Sequence, residues 1–397
     1  MIPVLDFCFD RLSDPDLGYP NLAQHDLGPD EFDETWPRAL PVRLFAYFPM
    51  AGHRHRSWLI EDAPAGSWYP IGLAWHDFAL DYFALISDSC RRRVRDGDVR
   101  LLFYYHEGDN PHRIRERFEF LRCQHDFPTG SYVFLSANSA SQDVDNFVYW
   151  PDHEIFFQYI NRHQHADPPG PGPRDHDFVA LNRTHKWWRA TCMADLHRSR
   201  LLDQSLWSYN PEIDIGDQRD DNPICVADLP GLLTDLETFL QNGAHRCDDL
   251  DDITQNDHRT VNTGLYQTAY CHLILETHFD ADQSGGTFLT EKTYKCLKFG
   301  QPFVIIGPPG SLRALRDRGY RVFDHAMDNS YDDILDNTQR WRAIKRTIQA
   351  IKQQDVQSWF ESCLDDVRWN QHYFMHGHAE LLDQLVLRLD QLSTVTP

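Results

Sequence analysis

The sequence predicts an α/β fold with two separate parallel sheets. Short runs of β-branched and aromatic residues alternate with helical patterns in both halves of the chain. A stretch rich in proline and glycine separates the halves, and a chain of 397 residues is long enough for two or three domains. The predicted boundaries are 1–165 for an N-terminal domain, 166–177 for a Pro/Gly linker and 178–397 for a C-terminal domain.

In the N-terminal domain, three apolar runs are typical of buried strands. They are 42–48 (VRLFAYF), 99–105 (VRLLFYY) and 131–137 (SYVFLSA). One helical pattern (DFALDYFALISDSCRRRV) ends near Val94, and a second helix is predicted at 111–124 (PHRIRERFEFLRCQ). Because strands and helices alternate, the sheet is predicted to be parallel.

The same alternation restarts after the linker. Strands are predicted at 178–183, 271–277, 302–307 and 320–324, and helices at 186–204, 290–299 and 311–319. The connections between the predicted elements from 271 to 324 are short, as consecutive right-handed βαβ units require. This rhythm predicts a second Rossmann-like domain. The tail from Tyr331 to Leu392 is predicted to be mostly helical, and its last apolar helix (HAELLDQLVLRLDQL) could pack across either domain.

The composition is that of a packed globular protein with an acidic surface. The chain is 41% hydrophobic and carries a net charge of -22, which would repel a phosphate backbone and makes nucleic acid an unfavourable partner. Nine cysteines without a C-x-x-C motif disfavour a disulfide framework or a zinc ribbon. The first residues lack a basic region, and no apolar run approaches the length of a membrane span, so we expect a soluble, cytoplasmic protein.

The segment GGTFLTEKTYKCLKFGQPFVIIG combines several signals at the start of a predicted helix. Thr290 is a good N-cap, Glu291 and Lys292 begin the helix, and Gly300 followed by Pro302 ends it. In an open α/β sheet, ligands bind at the carboxyl ends of the strands, and a helix N-terminus attracts an anion. The pattern therefore predicts a diphosphate near Lys292 and a ribose near Glu291. Ordinary capping with a solvated lysine is the alternative.

This segment resembles the fucosyltransferase-type glycosyltransferases of the GT-B fold, which use nucleotide-diphosphate sugars. The resemblance rests on Thr290-Glu291-Lys292, followed at the family's spacing by Gly300, Pro302 and Gly307. It implies two Rossmann-like domains that face each other across a cleft, with the donor nucleotide on the C-terminal domain and the acceptor on the N-terminal one.

The same resemblance implies roles for individual residues. Thr290, Glu291 and Lys292 would form the start of the donor site, with Glu291 on the ribose and Lys292 on a phosphate. Glu276, in a Leu-Glu-Thr element upstream, would lie close to the sugar-nucleotide.

A basic turn at the first strand-to-helix crossing of the C-terminal domain supports this interpretation. In FVALNRTHKWWRATCMADL, the residues Arg183, Lys186 and Arg189 surround the predicted helix start. Basic residues at a helix N-terminus oppose the helix dipole, and a bound diphosphate would explain them. By resemblance, either Arg183 or Arg189 would be the family's phosphate-binding arginine. The alternative is a basic helix start exposed to solvent.

In the N-terminal domain, LLFYYHEGDNP places His106 and Glu107 at the end of a strand. A direct-displacement glycosyl transfer requires a general base for the acceptor hydroxyl. Glu107 is the first candidate and His106 the second. The alternative is a simple turn, because Asp, Asn and Pro occupy their usual turn positions.

No metal site is predicted. The His-x-His pairs His53/His55 and His376/His378 lack an accompanying carboxylate pattern, and repeated Asp-x-Asp pairs are expected among 60 acidic residues. The proposed cations around the diphosphate also remove the need for a metal ion.

The predicted function is transfer of a sugar from a nucleotide-diphosphate sugar to a hydroxyl acceptor, such as a glycan. The mechanism would be a metal-independent single displacement without a separate cofactor. Two alternatives remain open: a non-catalytic nucleotide-sugar or glycan-binding protein of the same fold, and a glycosyltransferase that acts on modified nucleic acid, which the net charge disfavours.

Overall fold

The chain forms two compact units. The computed structural model describes residues 2–9, 47–48, 52–73, 78, 80–159, 167–212, 219–247, 262–376 and 379–394. Unit 1 comprises Met1–Ile160 and Gly377–Pro397, and unit 2 comprises Asn161–His376. The predicted α/β class with two parallel sheets and C-terminal helices is confirmed. The cleft between the domains stays a prediction.

Ten strands are described. They are β1 (Leu5–Phe9), β2 (His55–Leu59), β3 (Ser67–Gly72), β4 (Val99–Tyr105), β5 (Tyr132–Ser136), β6 (Phe147–Tyr149), β7 (His176–Asn182), β8 (Leu206–Tyr209), β9 (Ala269–Leu275) and β10 (Phe303–Ile306). Unit 1 has a six-stranded sheet of order β2-β1-β3-β4-β5-β6, and unit 2 has a four-stranded sheet of order β10-β9-β7-β8. Every strand pair in both sheets is parallel.

Twelve α-helices are described in the same ranges. They are α1 (Asp88–Arg95), α2 (Pro111–Gln124), α3 (Asp152–Tyr159), α4 (Trp187–Arg198), α5 (Leu232–Gln241), α6 (Thr263–Gln267), α7 (Ala281–Ser284), α8 (Glu291–Phe299), α9 (Ser311–Asp317), α10 (Asn337–Gln353), α11 (Val356–His376) and α12 (Ala379–Thr394). Short 3-10 helices lie at Ser139–Asp143, Arg219–Asp221, Val226–Asp228 and Ser330–Asp333.

The sheet of unit 1 has an apolar core on each face. Successive side chains of a strand point to opposite faces, so Leu101 and Phe103 of β4 join one core while Leu102 and Tyr104 join the other. All seven residues of β4 are buried. A strand covered on both faces has a continuous apolar sequence, and this is why its bounds agree with the prediction.

The last helix belongs to unit 1. Leu382, Leu385, Val386 and Leu389 of α12 pack in the same core cluster as Trp68 of β3. The prediction that 178–397 is one domain is therefore wrong for this helix. Its apolar stripe is evident in the sequence, but a stripe does not tell which sheet it covers.

The segment 320–324 was predicted as a strand and is not one. Arg321 N donates to Asn370 Oδ1, and Arg321 O accepts from Asn370 Nδ2, both at 2.8 Å. Phe323 has a φ of 62°, in the left-handed region. A side chain on α11 thus takes the place of a neighbouring strand in bonding this backbone.

Other predicted elements are shorter than expected or fall outside the described residues. The helix predicted to end near Val94 begins only at Asp88, where the Ser87 side chain accepts from Cys90 N as N-cap. The helix predicted at 186–204 ends at Arg198, and Arg200 has a left-handed φ of 58°. Of the predicted strand 42–48, only residues 47–48 are described, and they are helical.

Candidate functional site

The strand order in unit 2 changes direction between β7 and β9. From β7 the chain passes to β8 on one side, and it later places β9 and β10 on the other side. In open α/β sheets, ligands bind at the carboxyl ends of the strands at such a switch point. The candidate site therefore consists of the residues that follow Asn182, the last residue of β7, and Leu275, the last residue of β9.

Two lysine side chains meet at Thr277, just beyond the end of β9. Lys186 Nζ donates to Thr277 O at 2.8 Å, and Lys292 Nζ lies 3.4 Å from Thr277 Oγ1. Lys292 Nζ also donates to Thr290 Oγ1 at 3.0 Å and lies 3.0 Å from Glu291 Oε1. Lys186 is the N-cap residue of α4, and Lys292 is the second residue of α8. The fold thus brings together two lysines that the sequence analysis assigned to the phosphates.

Glu276 directly precedes Thr277 in the chain and is fully buried. Its carboxylate accepts hydrogen bonds from Thr290 N at 3.2 Å, Thr290 Oγ1 at 2.6 Å, Thr277 N at 3.2 Å and the Thr293 hydroxyl. A buried carboxylate is stable only when such donors surround it. Glu276 therefore ties the end of β9 to the start of α8.

Thr290 occupies the N-cap position of α8 but does not cap it with its side chain. Its hydroxyl donates to Glu276 instead. The predicted capping interaction is wrong in this respect. The hydroxyl donates to Glu276 and accepts from Lys292 Nζ, where a capping hydroxyl would accept from a backbone N–H of the first turn.

The other end of α8 agrees with the prediction. Gly300 is the C-cap, with a left-handed φ of 68°. A Cβ at this position would lie 2.7 Å from Pro169 Cδ, so the position also requires the absence of a side chain.

Lys298, two residues before Gly300, is a buried lysine. Its burial lowers the pKa of the side-chain amine to about 7.

The two predicted arginines have different surroundings. Arg189 is 4% exposed, and its guanidinium donates to Glu276 O through Nη2 at 2.6 Å and to Thr184 Oγ1 at 2.9 Å. Arg183 is exposed, one residue beyond β7. Among the described residues, no hydrogen bond or ion pair engages the Arg183 side chain. Arg189 is thus part of the interior support, while Arg183 is available to a ligand.

An aromatic stack supports the loop after β9. The Phe279 ring stacks on Trp188 with a centroid distance of 5.2 Å, and the Arg340 guanidinium lies 4.4 Å from the Phe279 centroid. Arg340 also donates to the carbonyl groups of Phe279 and Gly307. Burial lowers the pKa of Arg340 to about 10, so the side chain is still a cation at neutral pH. The loop that carries Thr277 is therefore held from both sides.

In unit 1, His106 and Glu107 follow β4 as predicted. His106 Nε2 lies 3.4 Å from Glu107 Oε1, and both side chains are partly buried, at 16% and 17% exposure. The predicted turn is present as well, because Asn110 caps α2 by accepting from His112 N and Pro111 is the first helical residue. The segment forms a turn and also presents an acid-base pair at the strand end.

Sequence reasoning missed Thr277 and Phe279 as site residues. Both lie in the loop directly after an apolar strand, which is the position where α/β folds place ligand contacts. The available signal was their position at this strand end.

Among the residues that the structure describes, no cluster of three His, Cys, Asp or Glu side chains is arranged to hold a metal ion. In the same part of the chain, no helix is both long and apolar enough to span a lipid bilayer.

No protein-family model matches the sequence, and no curated protein matches it. Several solved structures resemble the fold weakly, and two of them are described here. One is an α1,3-fucosyltransferase, with 9% identity and a TM-score of 0.38, over 100% of this chain and 93% of that chain. The other is a UDP-forming α,α-trehalose-phosphate synthase from Burkholderia xenovorans, with 11% identity and a TM-score of 0.38, over 83% of this chain and 75% of that chain. At these values, the likeness carries no argument about activity.

Proposed function

We propose that this protein is a glycosyltransferase that uses a nucleotide-diphosphate sugar as its donor. The observation that carries the proposal is the convergence of Lys186 and Lys292 on Thr277 at the switch point of the unit 2 sheet. Ammonium groups from two helices at this position form a site for a compact, multiply charged anion. A diphosphate that bridges a nucleoside and a sugar has this character.

The start of α8 adds to the same site. This helix has nine residues, and the positive end of its dipole lies where Glu291 and Lys292 are placed. Lys292 would bind a phosphate, and Glu291 would accept hydrogen bonds from a ribose diol. The exposed Arg183 would be the arginine that contacts the diphosphate.

Glu276, Arg189 and Thr290 have a different role in this proposal. Because Glu276 and Arg189 are buried and bonded to protein groups, they position the lysines and do not touch the donor themselves. Arg189 holds the Glu276 carbonyl group, and the Glu276 carboxylate holds Thr290, which in turn accepts from Lys292.

The proposed reaction is a single displacement. The acceptor oxygen forms a bond to the anomeric carbon while the bond from that carbon to the diphosphate oxygen breaks. Glu107 or His106 takes the proton of the acceptor hydroxyl, and the nucleoside diphosphate leaves with its negative charge stabilised by Lys186, Lys292 and Arg183. Cationic side chains supply this stabilisation, so a metal ion is not required.

The test is a panel of nucleoside diphosphates and nucleotide sugars in two assays. Binding to the native state should raise the melting temperature for one nucleotide class, and the matching nucleotide sugar should release nucleoside diphosphate when an acceptor is added. If no nucleotide raises the melting temperature, the proposed function is wrong. Binding without release for any acceptor would instead favour a nucleotide-sugar-binding protein.

A further inference from the structure

One buried side chain at the switch point has unmet hydrogen-bonding capacity. Asn182 is the last residue of β7 and is 2% exposed. Its backbone N–H donates to Ser208 Oγ at 3.1 Å. Its side-chain Oδ1 and Nδ2 are both buried and have no hydrogen-bond partner among the residues that the structure describes.

Buried polar atoms without a hydrogen-bond partner lower the stability of a protein and are uncommon. An unpaired polar group in a protein interior loses its hydration without compensation, and most buried polar side-chain atoms are paired. Twenty-two other side chains in the described ranges have one such atom, but Asn182 has two. A position where the protein tolerates this cost is a candidate contact for a ligand.

The chemistry of the amide restricts the group that it would bind. The carbonyl Oδ1 only accepts hydrogen bonds, and the Nδ2 group only donates them. A diphosphate at neutral pH offers acceptors alone, so it would leave Oδ1 unpaired. A hydroxyl group satisfies both ends because it donates through its hydrogen and accepts through its oxygen.

We propose that Asn182 is a specificity-determining residue that hydrogen-bonds a hydroxyl group of the donor, on its ribose or on the transferred sugar. This inference rests on the proposed function, since Lys186, four residues further along the chain, belongs to the proposed phosphate site. Because Asn182 is only 2% exposed in this structure, contact with the donor requires neighbouring side chains to move.

The test compares the wild-type chain with Asn182→Leu, Asn182→Ala and Lys292→Ala. Leucine has nearly the shape of asparagine and removes both unpaired atoms, so Asn182→Leu should melt at the same temperature as the wild type or higher. Affinities are measured by calorimetry for ribonucleoside diphosphates, their nucleotide sugars and inorganic pyrophosphate. Asn182→Leu should bind the hydroxyl-bearing ligands about 5- to 10-fold more weakly, the usual effect of one lost neutral hydrogen bond.

The pattern of loss identifies the hydroxyl. A loss for both the diphosphates and the nucleotide sugars places it on the ribose, and a loss for the nucleotide sugars alone places it on the transferred sugar. Unchanged affinity in both Asn182 variants, or an equal loss for pyrophosphate, would overturn the inference. If Lys292→Ala weakens binding and the Asn182 variants do not, the inference alone is wrong; if the wild type binds no nucleotide, the proposed function is wrong as well. Asn182→Ala decides the question if the leucine variant does not fold.

Discussion

The carboxyl ends of the strands carry different chemistry in the two units. In unit 2, the residues beyond β7 and β9 include Lys186 and Lys292 above a buried network centred on Glu276. In unit 1, β4 is followed by His106 and Glu107, an acid-base pair that is partly exposed. Both sheets are parallel, so the architecture offers the same kind of edge twice. The difference lies in the side chains that follow the strands, which give the two edges different chemistry.

The two edges also differ in how their charges are supported. In unit 2, the Glu276 carboxylate accepts from two backbone N–H groups and two threonine hydroxyls, and Arg189 and Arg340 hold the adjoining loop. This rigid support suits a binding site whose lysines must keep one geometry. A general base must lie within hydrogen-bond reach of the proton that it accepts and have a suitable pKa.

The largest expected effect lies at the unit 1 edge. Glu107→Gln should lower turnover by ~10²–10⁴-fold, the usual contribution of a positioned general base, and leave nucleotide affinity nearly unchanged. The measurement is the steady-state release of nucleoside diphosphate with an acceptor present. His106→Gln, assayed in parallel, shows which partner accepts the proton, because loss of an orienting partner costs less.

The matched control is Glu116→Gln on the exposed side of α2, which should keep full turnover. Full turnover in both the Glu107 and His106 variants would mean that the general base is another residue. The unit 1 edge would then have no catalytic role to compare with the unit 2 edge.

The second prediction concerns the charge of Lys298, a buried lysine of α8. Lys298 is 2% exposed, and burial lowers its pKa from 10.5 to about 7. Between pH 7 and pH 10.5 the unfolded chain therefore binds more protons than the folded one. Burial of Lys298 thus lowers the free energy of unfolding by its full amount below pH 7, and this loss disappears as the pH rises toward 10.5. Lys298→Met should stabilise the protein most at pH 6, by roughly a few kcal/mol at most, and least at pH 10.

Urea denaturation of the wild type and of Lys298→Met at pH 6, 8 and 10 measures this difference. A gain in the free energy of unfolding that is the same at all three pH values would mean that Lys298 does not lose its charge by burial.

The third prediction tests the buried support of unit 2. Glu276→Gln replaces an acceptor oxygen by an NH₂ group that faces the donors of Thr290 and Thr293, so at least one donor loses its partner. The free energy of unfolding should fall by about 1–3 kcal/mol. Glu291→Gln, at the partly exposed start of the same helix, is the control and should cost clearly less. Equal stability of Glu276→Gln and the wild type would mean that the network does not support the edge.

Much of this fold can be predicted from the sequence where local and tertiary signals agree. The bounds of β4 and α2 match the prediction, since β4 is apolar on both faces and α2 begins with an Asn-Pro cap. The segment 320–324 has the composition of a strand but bonds to the Asn370 side chain. No local pattern reveals such a distant partner.

The candidate site was predictable to a similar extent. The positions of Lys186, Glu291 and Lys292 at helix starts follow from cap residues and apolar periodicity. Their convergence on Thr277 depends on the strand order β10-β9-β7-β8, which periodicity does not specify. For the same reason, the sequence does not reveal that Arg189 and Glu276 are interior residues, since burial is set by the packing of α4 and α8 on the sheet.

The most direct test of the account is the affinity of the unit 2 edge for a nucleoside diphosphate. Calorimetry with the diphosphate that stabilises the wild type should show binding weakened by about 1–3 kcal/mol in Lys292→Ala, the range for a charge-assisted hydrogen bond, with the fold intact. Lys186→Ala should behave alike. The control is Lys352→Ala, which removes a lysine of unit 2 bonded to Asp177 and should leave the affinity unchanged. Unchanged affinity in both Lys186→Ala and Lys292→Ala would contradict the central claim that these two lysines form the diphosphate site.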